Sequence, residues 1–124
     1  MGIFRNILGV SGFFNSLKIA IKGILYLFLY HRNMRIIFLM GIAALGAGFW
    51  LNLKGIELVA LCITITIVFV AEIFNTAVEM MMDSVTERYN TKIRLIKDIA
   101  AGIVVLTSIN AVAVGYILLL RKIF

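Results

Sequence analysis

The sequence has no proline and only one cysteine among its 124 residues. The single thiol, Cys62, permits no intrachain disulfide and supplies no second ligand for a cysteine-based metal motif. The chain also has no low-complexity stretch of the kind that links domains. A chain of this length has room for one domain, and we expect residues 1–124 to form it.

Charge is scarce as well. Charged residues make up 15% of the chain, whereas hydrophobic residues make up 63%. The mean hydropathy is +1.09. A small soluble domain needs a polar surface, and this composition does not supply one. We therefore predict an all-α integral membrane protein with about three spans of roughly 20 residues each.

The sequence also lacks the usual motifs for binding nucleic acids and for binding nucleotides. The net charge of +6 is not accompanied by the interleaved basic and aromatic residues that contact bases, so we expect no nucleic-acid partner. The charge instead fits attraction to anionic lipid headgroups. The chain has no G-x-x-x-x-G-K-[ST] loop and no G-x-G-x-x-G, which excludes an ordinary nucleotide-binding fold.

Hydrophobic periodicity predicts one surface helix and three transmembrane helices. Over residues 11–30, apolar side chains recur at helical spacing while Lys18 and Lys22 project elsewhere, as in an amphipathic helix lying in the headgroup region. The longer apolar runs predict transmembrane helices at about 34–52, 56–82 and 98–120. The polar segment 83–97 is predicted to connect the last two at the membrane surface.

Lysine and arginine are unevenly distributed among the segments outside these spans. They concentrate before the first span and between the second and third, which the positive-inside rule assigns to the cytoplasm. The N-terminus and the segment 83–97 are therefore expected on the cytoplasmic side. In the first span, Gly41, Ala44 and Gly48 form a stripe of small residues that favours close approach of another helix.

One face of the second predicted span carries a stripe of polar residues. Its members follow the helical spacing i, i+3, i+4, i+7 and i+11. They are Glu72, Asn75, Thr76, Glu79 and Asp83. Carboxylates in or beside the hydrocarbon layer are costly unless paired, hydrated or metal-bound, so they indicate a functional site.

The chemistry of the stripe allows two functions. Glu79 and Asp83 offer hard oxygen ligands for Mg²⁺, and Lys97 can neutralise a phosphate. Glu72 lies deeper and is placed to deprotonate an alcohol arriving from the lipid side. These groups suffice for phosphoryl transfer, which requires positioning, charge neutralisation and a base. They fit ion translocation equally well, so the residues by themselves leave metal-assisted lipid chemistry and ion translocation open.

The same residues resemble a known family. The pattern E-x-x-N-[ST]-A-x-E, then D, then K-D-x-A-[AS]-G is typical of the prokaryotic diacylglycerol kinase and undecaprenol kinase family. The matching residues here are Glu72, Asn75, Thr76, Ala77, Glu79, Asp83, Lys97, Asp98, Ala100, Ala101 and Gly102. The segments 16–23 and 32–35 also resemble the family's S-F-x-x-A-x-x-G and R-N-x-R, so the resemblance covers nearly the whole chain.

The resemblance implies a homotrimeric enzyme of the bacterial cytoplasmic membrane that transfers the γ-phosphate of ATP, with Mg²⁺, to a lipid alcohol. It implies Glu72 as the general base beside the substrate and Glu79 as a metal ligand. The nucleotide contacts that it implies are Asn75, Arg88, Tyr89, Asn90, Lys97 and Asp98, and the substrate contacts are Asn33 and Ala101. The active site would face the cytoplasm. Undecaprenol is favoured over diacylglycerol because the N-terminal region and the R-N-x-R junction look like the Gram-positive type.

Three positions depart from the family pattern. His31 replaces an acidic residue that is normally a second metal ligand, Arg88-Tyr89-Asn90 replaces E-x-H, and Ile96 replaces an alanine. Imidazole is a poor ligand for Mg²⁺ and suits softer metals, so Mn²⁺ is a second candidate ion. His31 as a solvated residue contacting headgroups is an equal alternative. The departure at His31 also leaves open a noncatalytic lipid-binding member of the family.

Overall fold

The structure, a computed structural model, describes residues 10–85 and 91–123. Four long helices account for most of these residues. They are α1 (Val10–Tyr30), α2 (Arg32–Trp50), α3 (Ile56–Val85) and α4 (Thr91–Gly115). Helix α4 continues into a π-helical turn, Tyr116–Leu120, and a last helical turn, α5 (Arg121–Ile123). The predicted all-α fold is confirmed for the described residues.

Four described segments are long and apolar enough to cross a membrane. They are Ser11–Tyr30, Arg32–Trp50, Ile56–Val85 and Thr91–Ile123. Helix α1, predicted as a surface helix, therefore meets the same criterion of length and composition as the three predicted spans. At about 1.5 Å per residue, the 30 residues of α3 exceed a hydrocarbon layer of about 30 Å. One end of α3 can therefore reach the headgroup region.

The described residues divide into two compact units, one that ends at Arg32 and one that begins at Asn33. The first contains α1 and His31. The His31 N–H donates a hydrogen bond of 2.9 Å to the carbonyl of Leu27, which extends the helical hydrogen bonding by one residue. The ring of Tyr26 lies 4.7 Å from that of Tyr30 and 6.4 Å from the imidazole of His31, between ring centroids.

In the second unit, α3 and α4 form the most extensive helix packing. Helix α2 meets α3 mainly through α3 side chains that lie over two glycines of α2. A Cβ atom on Gly41 would lie 3.0 Å from Cγ2 of Ile65, and one on Gly48 would lie 2.7 Å from Cδ2 of Leu61. These contacts confirm that the small-residue stripe of α2 faces another helix. Beyond them, the Phe38 and Phe69 rings meet edge to face with centroids 5.8 Å apart.

A Schellman turn ends α2. Asn52 adopts a left-handed φ of 63°, and its N–H donates to the carbonyl of Phe49 at 3.1 Å. The Leu53 N–H donates to the carbonyl of Gly48 at 2.9 Å, which completes the two bonds of the motif. Leu53 is buried and packs over Gly48, where an added Cβ would be 3.2 Å from the Leu53 Cδ1. The turn therefore fixes how the chain leaves α2 before α3 begins.

Helix α4 begins earlier than the apolar run predicted as a span. The helix starts at Thr91, seven residues before the predicted boundary at 98. Hydropathy misses these residues because they are mostly polar, yet they have no helix breaker and Ile93 supplies a buried anchor. Arg94 Nε also lies 4.0 Å from Asp98 Oδ2, an i,i+4 pair. The last part of the predicted connection 83–97 is thus helical.

Apolar side chains are widely exposed on the described helices. In the second unit they include Leu39, Trp50, Ile56, Val70, Leu106 and Val112. A soluble monomer rarely exposes apolar patches of this extent, so lipid or other protein chains must cover them. Trp50 is 82% exposed beside the turn, the position expected of an interfacial aromatic residue.

Candidate functional site

The polar stripe of α3 divides into a buried half and an exposed half. Glu72 and Thr76 are only 5% and 4% exposed, and Asn75 is half-buried. Glu79 and Asp83 are exposed. The buried half lies in the more apolar part of α3, where Ala71 is also buried. A carboxylate such as Glu72 is costly at such a place, which favours a functional over a structural reason for its presence.

Asn75 adds a second unusual feature one helical turn from Glu72. Its Oδ1 atom is buried and has no hydrogen-bond partner among the described residues. Such a group costs about 1–3 kcal/mol when nothing satisfies it. A ligand that hydrogen-bonds to Asn75 would remove that cost.

At the end of the stripe, Asp83 joins α3 to α4. The Lys97 Nζ donates a hydrogen bond of 2.7 Å to the Asp83 Oδ1. The lysine side chain is 27% exposed and the aspartate 69%, so solvent screens this pair substantially. Asp83, predicted as a possible metal ligand, therefore acts here as the ionic partner of Lys97. Nothing in the sequence indicates this pair, because the two residues are separated by a polar segment with no periodic pattern.

Other predicted contacts lie on the same stretch of α4. Asp98 is exposed next to Lys97 and pairs with Arg94. Ala101 is exposed one turn beyond Lys97, whereas Ala100 is buried. Asn33, at the start of α2, is exposed. The structure thus leaves Asp98, Ala101 and Asn33 accessible to a ligand.

Four predicted site residues lie either in the first compact unit or outside the described residues. His31 belongs to the first compact unit, where its imidazole contacts the ring of Tyr26. Arg88, Tyr89 and Asn90, predicted to contact nucleotide, lie outside the described residues. Their roles stay predictions.

The described residues contain no group of three or more His, Cys, Asp or Glu side chains that could hold a metal ion. Mg²⁺ commonly takes only one or two protein carboxylates and completes its shell with substrate phosphates and water. The exposed carboxylate of Glu79 fits that mode. Glu72 is about 10 Å from Glu79 along the helix axis, from a rise of about 1.5 Å per residue. The two carboxylates of one chain therefore lie at different depths along α3.

The sequence matches a known protein family over most of its length. A sequence model described as prokaryotic diacylglycerol kinase matches residues 18–119. The chain belongs to this family. The match confirms the resemblance found in the sequence, and it contains both the α3 stripe and the Lys97-Asp98 pair.

Two relatives have names that describe lipid kinases. The chain is 39% identical over 106 residues to a diacylglycerol kinase of Synechocystis sp. (strain ATCC 27184 / PCC 6803 / Kazusa), covering 85% of the chain and 61% of that relative. It is 30% identical over 113 residues to the undecaprenol kinase of Bacillus subtilis (strain 168), covering 91% of the chain and 92% of that relative. The chain therefore spans about three fifths of the Synechocystis relative and nearly all of the Bacillus relative.

Proposed function

We propose that this protein is an ATP-dependent lipid kinase that phosphorylates the hydroxyl group of a membrane lipid. The observation that carries the proposal is the buried carboxylate of Glu72 on an apolar helix, one turn from the Asn75 amide oxygen, which has no hydrogen-bond partner among the described residues. Family membership supports it, because both named relatives are lipid kinases. A buried base next to an unsatisfied polar group suits a substrate that arrives from the membrane.

In the proposed reaction, Glu72 accepts the proton of the lipid hydroxyl as its oxygen attacks the γ-phosphorus of ATP. The bond from that phosphorus to the bridging oxygen of the β-phosphate breaks, so the products are a lipid phosphate and ADP. Burial removes water that would otherwise compete as the nucleophile. The reaction needs little more from the protein than positioning and charge neutralisation.

The remaining groups hold the nucleotide end of the site. Lys97, at the membrane-surface end of α3 and α4, neutralises phosphate charge after exchanging Asp83 for the nucleotide. Asn75, Asp98, Arg88, Tyr89 and Asn90 are the other proposed nucleotide contacts. Glu79 would hold Mg²⁺, or Mn²⁺ as the alternative, which would neutralise charge on the transferring phosphate. His31 is proposed as a weak or absent ligand because imidazole suits softer metals.

Two lipid alcohols are candidate acceptors. The resemblance of the R-N-x-R junction favours undecaprenol, which is also the substrate in the name of the Bacillus relative. The higher identity to the Synechocystis relative favours diacylglycerol. Asn33 and Ala101, both exposed, are proposed to contact the acceptor. Undecaprenol stays our first candidate.

The proposed enzyme is a homotrimer in the bacterial cytoplasmic membrane. The exposed apolar faces of α2, α3 and α4 provide surface for other copies of the chain. Helix α1 is proposed to lie in the headgroup region, with the N-terminus and the α3 stripe on the cytoplasmic side, as the distribution of Lys and Arg indicates.

A noncatalytic lipid-binding protein is the second candidate, favoured by His31 in place of an acidic ligand. The retained Glu72, Asn75 and Lys97 argue against it, since a scaffold has little reason to keep a buried carboxylate. Thermal unfolding with and without MgATP examines this candidate, because a ligand that binds the folded state raises its stability. If the protein is a kinase, we expect a saturable rise in Tm with MgATP. If it has no nucleotide site, we expect no rise.

The decisive experiment is transfer of labelled γ-phosphate to each lipid in mixed micelles, with Mg²⁺ and separately with Mn²⁺. We expect product from at least one of undecaprenol and diacylglycerol. Glu72→Gln should lower kcat by about 10²–10⁴-fold, the usual contribution of a general base. Thr64→Val is the matched control, because Thr64 is also buried on α3 and its hydroxyl donates to the Ala60 carbonyl of the same helix at 2.7 Å. No transfer to either lipid by folded protein would refute the proposal.

A further inference from the structure

A basic cavity lies at the end of the second unit opposite the α3 stripe. Its volume is about 210 Å³. Glu57, Ile117, Leu118, Arg121 and Lys122 line it. Glu57 and Asp83 are separated along α3 by about 39 Å, at about 1.5 Å per residue. The cavity is therefore distinct from the proposed kinase site.

The charges of this cavity are only partly paired. Lys122 Nζ lies 3.7 Å from Glu57 Oε2, and both side chains are 39% exposed. Arg121 is exposed, and no ion-pair partner for it lies among the described residues. The three charged groups therefore leave one net positive charge on the rim, while Ile117 and Leu118 give the cavity an apolar wall.

Arg121 and Lys122 follow directly after a π-helical turn of the backbone. Tyr116–Leu120 forms a π-helical turn directly before Arg121. Such turns are rare, occur mostly as single wide turns within α-helices and are frequent at functional sites. The wider turn changes the direction in which the following side chains project. It thereby brings Lys122 within reach of Glu57 on α3, and Arg121 to the rim of the same cavity.

We infer that this cavity binds the phosphate of an anionic membrane lipid. The guanidinium of Arg121 supplies a planar pair of donors that matches phosphate oxygens, and Lys122 supplies a second cation. The apolar wall meets the part of the lipid next to its headgroup. Glu57 competes with the phosphate for Lys122.

The binding test follows Tm of the full chain in dodecyl maltoside micelles as phosphatidylglycerol is added. Saturation of the Tm shift gives an apparent Kd, because a ligand of the folded state stabilises it by mass action. Phosphatidylcholine, inorganic phosphate and glycerol phosphate are titrated in parallel. We expect the anionic lipid to bind at least about tenfold more tightly than each of them. Equal binding of phosphatidylcholine, or equal binding of the free phosphates, would overturn the inference.

Three substitutions examine the assigned residues. Arg121→Gln should weaken phosphatidylglycerol binding about tenfold or more, as expected for a hydrogen-bonded ion pair. Lys54→Gln removes the same charge from an exposed residue outside the cavity and should leave the Kd unchanged. Glu57→Gln should tighten binding because it frees Lys122, even where it lowers the Tm of the lipid-free protein. If Arg121→Gln and Lys54→Gln have the same Kd for phosphatidylglycerol, or if Glu57→Gln does not lower that Kd, the cavity is not a phosphate site.

Discussion

Single residues define the proposed catalytic end of the molecule, and Asn75 is the most informative of them. Glu72 is recognisable in the sequence as an acid in an apolar run, but the sequence does not reveal which stripe residues lose their contact with water. The structure shows that Glu72 and Thr76 are buried, that Glu79 and Asp83 are exposed, and that the Asn75 Oδ1 has no partner among the described residues. A buried polar atom without a partner destabilises the free protein, and a ligand that hydrogen-bonds to the atom removes that cost.

Replacing Asn75 by leucine separates stability from activity. Leucine has nearly the same shape and removes the unsatisfied amide oxygen, so we expect the free energy of unfolding to rise by about 1 kcal/mol. The phosphotransfer rate should fall about tenfold or more, because the hydrogen bond to the ligand is lost. Chemical unfolding in micelles and the labelled-phosphate assay measure the two quantities.

The control for this prediction is Asn110→Leu, the same change at an exposed position of α4. It should leave phosphotransfer unchanged. A marked loss of stability in Asn75→Leu would show that the Asn75 amide has a hydrogen-bond partner in the free protein, and the prediction would then be wrong.

At the scale of elements, α3 and α4 pack most extensively, and α2 meets α3 where α3 side chains lie over two glycines. The small-residue stripe Gly41, Ala44 and Gly48 was predictable from spacing alone. The residues that contact this stripe were not predictable, because a stripe on one helix does not identify the facing helix. The structure supplies Ile65 and Leu61 on α3 and adds Leu53, which the Schellman turn folds back over Gly48.

Alanine substitutions at two glycines of α2 provide a matched pair. Gly48→Ala adds a Cβ that would lie 2.7 Å from Leu61 and 3.2 Å from Leu53, and we expect a loss of about 1–3 kcal/mol in unfolding free energy from overpacking. Gly46→Ala meets nothing within 4 Å and should be neutral or stabilising by up to about 1 kcal/mol through helix propensity. Thermal and chemical unfolding of both variants in one detergent gives the comparison. Equal unfolding free energies for the two variants would show that α2 and α3 do not pack as described.

The boundaries of the elements were predictable only where they coincide with a change in hydropathy. Apolar runs predicted where the spans are, and the polar N-terminal turns of α4 escaped that signal because residues 91–97 are mostly hydrophilic. The pair between Lys97 and Asp83, which joins those turns to α3, depends on the path of a segment without periodicity. Contacts of this kind follow from the packing of two helices and have no local pattern.

At the scale of the whole molecule, the exposed apolar surface is the dominant feature. Helices that present residues such as Trp50, Leu106 and Val112 to their surroundings fit a membrane protein, and they also leave surface for further copies of the chain. Glu72 and Glu79 are about 10 Å apart along one helix, at about 1.5 Å per residue. A site that draws the two carboxylates from different chains is a way to bring a base and a metal ligand to one phosphate.

Complementation examines that arrangement. Glu72→Gln and Glu79→Gln chains, carrying different affinity tags, are co-expressed and the mixed oligomers are purified through both tags. If each site uses the two residues from different chains, some sites in the mixed oligomer carry both wild-type residues, and phosphotransfer should rise well above that of either variant alone. Mixed oligomers without recovered activity would place both residues of a site in one chain.

Composition, periodicity and motif spacing were sufficient to establish the all-α membrane character, the approximate spans, the stripe on α3 and the family. The packed fold was needed to show which stripe residues are buried, that Lys97 pairs with Asp83, and that Arg121 and Lys122 meet Glu57 around a cavity at the far end. Those features depend on contacts between helices distant in sequence, which no local pattern encodes. Burial and pairing are properties of the packed bundle rather than of any one of its segments.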